Sequence, residues 1–325
     1  LNQNKTKNEH LCSARSFYLL NTFAAIIKGH NTHLYKNGYR FERGIYIRMK
    51  SVKRIVKIVL LLIVLIALLV GYAFKIEPTR LVVHTYDLHE NKGQALKVVQ
   101  LSDIQVSETY TVNQLNALVE KVNQLSPDII VFTGDLFENF SAFQHKQEVT
   151  ESLSKLKATV GKYAVWGNRD YGGGAFKIYE DLLTNSGFTL LSNRGVNVTV
   201  LNGKKLFIGG LDDGLLGNPD ADQLLSTMDV DYDYQIVLMH EPDMADLLKD
   251  TSINLILAGH SHGGQIKIPF IKTKTTALAE KYNDGFYTIN KSTGMQLYVN
   301  TGIGTSRIPA RFMVPPEISV FNIYL

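Results

Sequence analysis

A single cysteine, Cys12, stands in a chain of 325 residues. That scarcity excludes a disulfide framework and any cysteine-based zinc site within one chain, and it leaves the redox compartment open. Eight prolines and 25 glycines are too few for a collagen-like chain, and 45% hydrophobic against 20% charged residues is not the composition of a disordered one. The chain is long enough for one large domain or two small ones, with a sizeable core. Most of it also lacks positive charge. Residues 1–57 carry twelve Lys/Arg against Glu9 and Glu42, whereas residues 58–325 carry twenty-two against twenty-eight acids. The net +4 therefore belongs to the N-terminus, and the mildly acidic remainder argues against a nucleic-acid partner.

What the N-terminus does have is a long apolar run. Residues 58–74, IVLLLIVLIALLVGYAF, hold no charge and no polar face. The run is near the lower limit for a membrane-spanning helix, and Ile55 and Val56 extend it if Lys57 snorkels to the interface. A buried core helix would show an amphipathic stripe, which is missing. Arg48, Lys50, Lys53, Arg54 and Lys57 precede the run, so the positive-inside rule predicts a single-pass cell-membrane anchor with the C-terminal domain extracytoplasmic. A cleaved signal peptide ending near Gly71-Tyr72-Ala73 is the alternative; the apolar run exceeds a usual signal core, which favours the uncleaved anchor. Met49 followed by a basic flank (49–57) resembles an ordinary start. Residues 1–48 are accordingly expected to be a translated leader or a cytoplasmic tail of low order.

Residues 75–95 read as a linker with an opening strand at Leu81–Tyr86. Beyond them, five short apolar runs end in ligand-type residues: Leu96–Ser102 before Asp103, Asp128–Gly134 before Asp135, Lys162–Gly167 before Asn168, Tyr234–Met239 before His240, and Asn254–Gly259 before His260, with His262 close behind. Such runs suit strands buried on both faces. Between the first two, Leu115, Leu118, Val119 and Val122 fall at helical spacing, and Pro127 restarts the chain as a strand. Strand, helix, strand in this order predicts an α/β fold whose sheets are covered by helices. In such folds ligands bind beyond the carboxyl ends of strands, so these side chains can converge on one rim. Singly, each is explained as a turn residue or a surface histidine. Together they form an oxygen and imidazole set suited to Mn²⁺, Fe or Zn²⁺, with enough ligands for two ions.

The blocks Asp103-Ile-Gln105, Gly134-Asp135, Gly167-Asn168-Arg169-Asp170, Met239-His240 and Gly259-His260-Ser261-His262-Gly263-Gly264-Gln265 resemble those of the calcineurin-like metallophosphoesterases, in that family's order, over residues 96–325. The tail Thr301-Gly-Ile-Gly-Thr305 and Pro315-Pro316-Glu317, with the preceding anchor, resembles its bacterial membrane-associated branch. The resemblance implies a layered β-sandwich flanked by helices and a dinuclear centre. One metal would be held by Asp103, Asp135 and His262, the other by Asp135, Asn168, His240 and His260. Asp135 would bridge them, a shared hydroxide would attack phosphorus, and Asp170 would orient its neighbours from behind. The expected metals are manganese, with iron, zinc or magnesium as alternatives.

Two positions depart from the family's pattern. Gln105 replaces the histidine of Asp-x-His; its amide oxygen either ligates more weakly than imidazole, favouring Mn²⁺ or Mg²⁺, or does not ligate at all. Arg169 stands where many members carry histidine. An arginine cannot donate a proton to a leaving group, yet its planar fork can grip a phosphate oxygen. Arginine here also resembles the branch that cleaves the pyrophosphate of UDP-diacylglucosamine, whose leaving group is itself a stable phosphate. The expected activity is therefore hydrolysis of a phosphodiester or pyrophosphate, including lipid-linked ones. A non-catalytic, membrane-anchored binding module that retains the fold is the alternative. Gly172-Gly173-Gly174 reads as a flexible loop, with a substrate lid as the alternative, and Asp212-Asp213 as a turn, with an extra polar contact as the alternative. Arg307 and Arg311 read by default as solvated tail residues, either of which could contact a phosphate. His84, His89 and His145 fall outside the pattern. The oligomeric state is open.

Overall fold

The computed structural model describes residues 39–88, 94–200, 203–229 and 231–325, with residues 39–48 as backbone helix. The leader or tail expected over residues 1–48 thus lies mostly outside the described residues, as does His89. Helix α1 (Tyr39–Lys75) is continuous for 37 residues and begins ahead of Met49, so residues 39–48, read as low in order, continue the helix of the apolar run. The stretch Met49–Thr79 is the one segment among the described residues long and apolar enough to cross a membrane, with a mean hydropathy of 3.0 and none of that window buried.

The chain divides into two units, residues 1–65 and 66–325. The larger is built on two six-stranded sheets. In chain order the strands are β1 (Val82–Leu88), β2 (Ala95–Leu101), β3 (Ile129–Phe132), β4 (Gly161–Ala164), β5 (Thr189–Leu190), β6 (Arg194–Thr199), β7 (Lys205–Gly210), β8 (Tyr234–Leu238), β9 (Leu255–Ala258), β10 (Gly285–Asn290), β11 (Met295–Val299) and β12 (Glu317–Tyr324). One sheet runs β1-β12-β2-β3-β4-β5, the other β10-β11-β9-β8-β7-β6. The ligand-bearing strands pair in parallel, β2 with β3, β3 with β4, and β8 with β9, so their carboxyl ends share one rim.

Alternation along each strand separates three apolar layers. Val98, Ile129, Val131, Ile208, Ile236 and Leu257 fill the space between the sheets. Val99, Leu101, Ile130 and Phe132 face the opposite way and pack under helix α2 (Val112–Gln124) through Leu115, Leu118, Val119 and Val122. Phe207, Val237 and Ile256 make the third layer on the far side of the second sheet. Helix α2 starts where the sequence offers a capping pair: Gln114 Oε1 accepts the Thr111 amide at 2.9 Å. The sandwich with flanking helices is as the sequence led one to expect, down to strands buried on both faces.

Two local readings change. Residues Tyr171–Ala175, expected as a glycine loop, form a wide helical turn continuing from Asn168–Asp170. Tyr171 stacks on Trp166 and Phe176, and this aromatic packing holds the turn that its glycines alone would not favour. Arg311, expected at the surface, is fully buried. Asp213 behaves as the turn residue anticipated, its Oδ2 accepting the amides of Leu215, Leu216 and Gly217.

Candidate metal centre

At the rim the loop after β2 is bonded to that after β3, the loop after β9 to that after β8, and the His260 amide donates to Asp103 Oδ2 at 3.0 Å across the two pairs. The Asp103 amide donates to Gly134 O at 3.0 Å, Gln105 N to Asp135 O at 3.1 Å, and Gly259 N to His240 O at 3.0 Å. Asp103, Gln105, Asp135, His260 and His262 all adopt left-handed φ, between 47° and 68°. Non-glycine residues rarely accept that region, and where they do they cluster at functional sites. Gly134 (φ 91°) is needed for a different reason. A Cβ there would lie 2.8 Å from His240 Nδ1 and from the Gly167 backbone.

These turns bring the expected side chains together. Carboxylate and imidazole atoms of Asp103, Asp135 and His240 lie within 4.8 Å of one another, as do those of His240, Glu241 and His260. Asp135 Oδ1 is 3.4 Å from His240 Nε2, and Asp103 Oδ1 is 3.4 Å from His262 Nε2. The histidine tautomers follow from their outer contacts. His240 Nδ1 donates to Thr133 O at 2.7 Å, which leaves Nε2 bare. His260 Nε2 donates to Ala277 O at 2.9 Å, which leaves Nδ1 bare.

Four buried polar atoms of this cluster have no hydrogen-bond partner: Asp103 Oδ1, Gln105 Oε1, Asn168 Oδ1 and His240 Nε2. Each is an electron-pair donor, and an unsatisfied buried donor or acceptor costs about 1–3 kcal/mol. Divalent cations are the groups that would satisfy such atoms, so the residues fit the metals implied by the sequence. Gln105 also places its Nε2 at 2.9 Å from Asp135 Oδ2.

Electrostatics point the same way. Burial pushes the Asp135 carboxyl up, but His240 and then the Arg169 amide outweigh it and hold the carboxyl low. His240 is itself pushed, against its burial, well above its ordinary value by Asp135, and a cation between the two would replace that imidazole proton. Burial drives His262 down to about 4, with Arg311 adding to the effect, so its imidazole is neutral and able to ligate. Behind the cluster, both Asp170 oxygens accept backbone amides, from Asp135 at 2.9 Å, Leu136 at 3.0 Å and Gly167 at 3.0 Å. Burial and then the Asp135 charge raise Asp170 to about 8.

Arg169 sits at the mouth. Its amide donates to Asp135 Oδ1 at 2.7 Å, while Nη1 reaches Glu138 Oε1 at 3.0 Å and Nη2 donates to Ser306 Oγ at 2.6 Å. Asp135, Asn168, Arg169, His260, His262, Lys274 and Arg307 all line one open cavity of about 790 Å³. All nine residues singled out from the sequence thus meet in one place.

The roles of three residues escaped the sequence reading. Glu241 follows His240 directly, is fully buried, and has its carboxyl raised well above the usual range by burial and then by Asp213. An acid next to a strand-end histidine was the available signal. Glu138 gave none, and Arg311 was noted only as a tail residue, since their roles depend on contacts distant in sequence.

The pattern describing calcineurin-like phosphoesterases matches residues 96–264. An uncharacterized metallophosphoesterase of Bacillus subtilis is 38% identical over 78% of this chain and 89% of its own length. Another, from Campylobacter jejuni, is 31% identical over 72% of this chain; the chain spans only 60% of that relative. A UDP-2,3-diacylglucosamine pyrophosphatase of Chlamydia muridarum is 28% identical over 70% of this chain and 83% of its own. With the fold, the converging strand ends and these relatives in agreement, the chain belongs to the calcineurin-like phosphoesterase family.

Proposed function

We propose that this protein is a membrane-anchored metallophosphoesterase that uses two divalent cations to hydrolyse a phosphodiester or pyrophosphate, with lipid-linked substrates as the favoured class. The observation that carries the reading is the set of four unpartnered, buried donor atoms on the strand-end loops of the rim, among them the clustered Asp103 and His240. Asp103, Asp135 and His262, with Gln105 as a weak oxygen donor, would hold one cation. Asp135, Asn168, His240 and His260 would hold the other. Manganese fits this mixed oxygen and imidazole set. When bound, the pair supplies Lewis acidity toward phosphoryl oxygens and lowers the pKa of water at the site.

The chain's own residues do the rest. Thr133 O and Ala277 O fix the histidine tautomers. Asp170, through three backbone amides, keeps the loops carrying Asp135 and Asn168 in register. Arg169 has three of its guanidinium protons engaged by Glu138 and Ser306, which leaves two for a ligand in the cavity it lines. That fork can bind a phosphoryl oxygen and stabilise charge developing on it. It supplies no proton to a leaving group, which favours leaving groups that depart as phosphate. The Chlamydia relative, named as a pyrophosphatase of a lipid-bearing nucleotide sugar, agrees with that preference. The basic flank of the anchor supports an extracytoplasmic position for the catalytic unit.

The test is an assay of the full chain with Mn²⁺ against bis-p-nitrophenyl phosphate, p-nitrophenyl phosphate and a lipid pyrophosphate, with ion content per chain measured alongside. Two bound ions and metal-stimulated turnover are expected, fastest on the pyrophosphate. A folded chain that retains no ion and turns over none of the three would leave the binding-module reading in its place.

A further inference from the structure

Between the histidine block and the cavity wall at Lys274–Ala277 lies a short loop, Lys267-Ile-Pro-Phe-Ile-Lys-Thr-Lys274. Its apolar residues face outward: Ile268 is 49% exposed, Ile271 63%, and Phe270 wholly so. The loop closes as a turn, with the Ile271 amide donating to Ile268 O at 3.0 Å and Phe270 at φ 68°. A turn with positive φ at its third residue takes glycine or asparagine by preference. Here the position carries a phenylalanine, at a cost in backbone strain and with no packing in return. Ile308 and Met313, 51% and 58% exposed, lie on neighbouring backbone: Gln265 Nε2 reaches Ile308 O at 2.7 Å, and Lys267 N donates to Phe312 O at 2.9 Å. Contiguous apolar surface of this kind marks an interaction site.

The occupant follows from what adjoins the loop. Phe312, backbone-paired to Lys267, sets its ring edge-on to Tyr72 at 6.4 Å, and Arg311 N donates to Ala73 O at 2.9 Å. Tyr72 and Ala73 belong to the last turns of α1, where the apolar run ends and aromatic residues sit at the level of lipid headgroups. Lys272 and Lys274 are exposed on the loop's flank, where cations meet anionic headgroups. We infer that the loop Ile268–Ile271 inserts into the interface of the anionic bilayer that holds the anchor, so that the mouth of the catalytic cavity opens at the lipid surface. The loop thereby selects amphiphilic phosphate compounds that keep their chains in the bilayer. The insertion rests on the anchor reading alone; its consequence for substrate rests on the proposed hydrolytic function.

The two are separated by experiment. The full chain carrying Cys12→Ser and Phe270→Cys is labelled with an environment-sensitive fluorophore and reconstituted into phosphatidylcholine–phosphatidylglycerol vesicles. A Ser292→Cys label, on the exposed turn between β10 and β11, is the control. Expected are a blue-shifted emission at position 270 and severalfold stronger quenching by a nitroxide on the upper acyl chain than at position 292. Equal, water-like signals at both positions overturn the inference, whatever the activity. In parallel, Phe270→Ser with Ile271→Ser should lower turnover of a vesicle-borne pyrophosphate about tenfold, through lost local concentration, and leave bis-p-nitrophenyl phosphate unchanged. Equal loss on both substrates overturns the selective role. Insertion without hydrolysis of any phosphate ester overturns the proposed function and leaves the lipid contact standing.

Discussion

The amide of Gln105 donates to Asp135 Oδ2 at 2.9 Å, and the oxygen of the same amide is buried with no partner at all. One side chain therefore both braces the central carboxylate and offers a spare electron pair to the same spot. An amide oxygen is a weaker ligand than imidazole for a transition metal. Gln105→His should tighten the first metal position by about tenfold, the scale on which changes around a metal site act. Equilibrium dialysis against Mn²⁺, read as ions per chain, checks this. Gln105→Leu should do the reverse and also release Asp135 Oδ2. Unchanged occupancy in both variants would mean that Gln105 plays no part in holding metal.

Under the proposed function, Arg169 would separate metal binding from phosphate binding, because its backbone and its guanidinium meet different partners. Its backbone N–H holds Asp135 Oδ1 and survives any substitution, whereas only the guanidinium reaches Glu138, Ser306 and the cavity. Arg169→Ala should leave metal content unchanged and lose about a hundredfold in kcat, the usual scale for removing a donor aimed at developing charge. Arg169→His should shift preference toward esters with poor alkoxide leaving groups, since imidazole can donate a proton. The ratio of rates on p-nitrophenyl and alkyl phosphodiesters measures it, and an unchanged ratio would contradict the role assigned to the arginine.

How much of this was legible beforehand follows from range of contact. The strands were readable because Val98–Leu101, Ile129–Phe132 and Leu255–Ala258 are apolar on both faces, and a strand end followed by Asp or His is a local pattern. The helix over Val112–Gln124 was readable from the spacing of Leu115, Leu118, Val119 and Val122. Arg311 was not. It looked like a solvent-facing tail residue because the carbonyls of Thr301, Gly304 and Val314 that enclose it leave no mark in a side-chain sequence. The left-handed backbone at Asp103, Gln105, Asp135, His260 and His262 was equally invisible, for it is imposed by loops interlocked across two sheets. The triple glycine misled for the opposite reason: local propensity signalled a loop, and the stacking of Trp166, Tyr171 and Phe176 overrode it.

Arg311 bears a prediction of its own. Its Nε and both Nη nitrogens donate to Gly304 O, Val314 O and Thr301 O at 2.6–3.1 Å, with no carboxylate in direct contact. Burial accordingly lowers its pKa to about 10. Arg311→Met would leave those carbonyls buried and unsatisfied, for a loss of roughly 3–5 kcal/mol. Arg311→Lys, with one donor centre in place of a fork, should recover only part of it. Urea unfolding of the metal-free protein measures both, and a loss below that of an ordinary surface substitution would show the arginine to be dispensable.

His262 gives the protein a pH dependence whose sign is fixed by its depressed pKa. Burial first, and the Arg311 charge after it, lower the imidazole from 6.5 to about 4 against the pull of Asp103. At pH above 6.5 the ring is neutral in both folded and unfolded chains and contributes nothing to the difference. Between about 6.5 and 4 the unfolded ring takes up a proton that the folded ring refuses, so stability falls as pH falls. Below 4 both forms are protonated and the effect levels off. The span corresponds to about 3 kcal/mol. In urea titrations of the metal-free protein, wild type should lose stability across this window by more than His262→Gln does. Metal should oppose the loss, because it binds only the neutral ring. An identical pH profile in the variant would show that His262 is protonated in the folded chain like any exposed histidine.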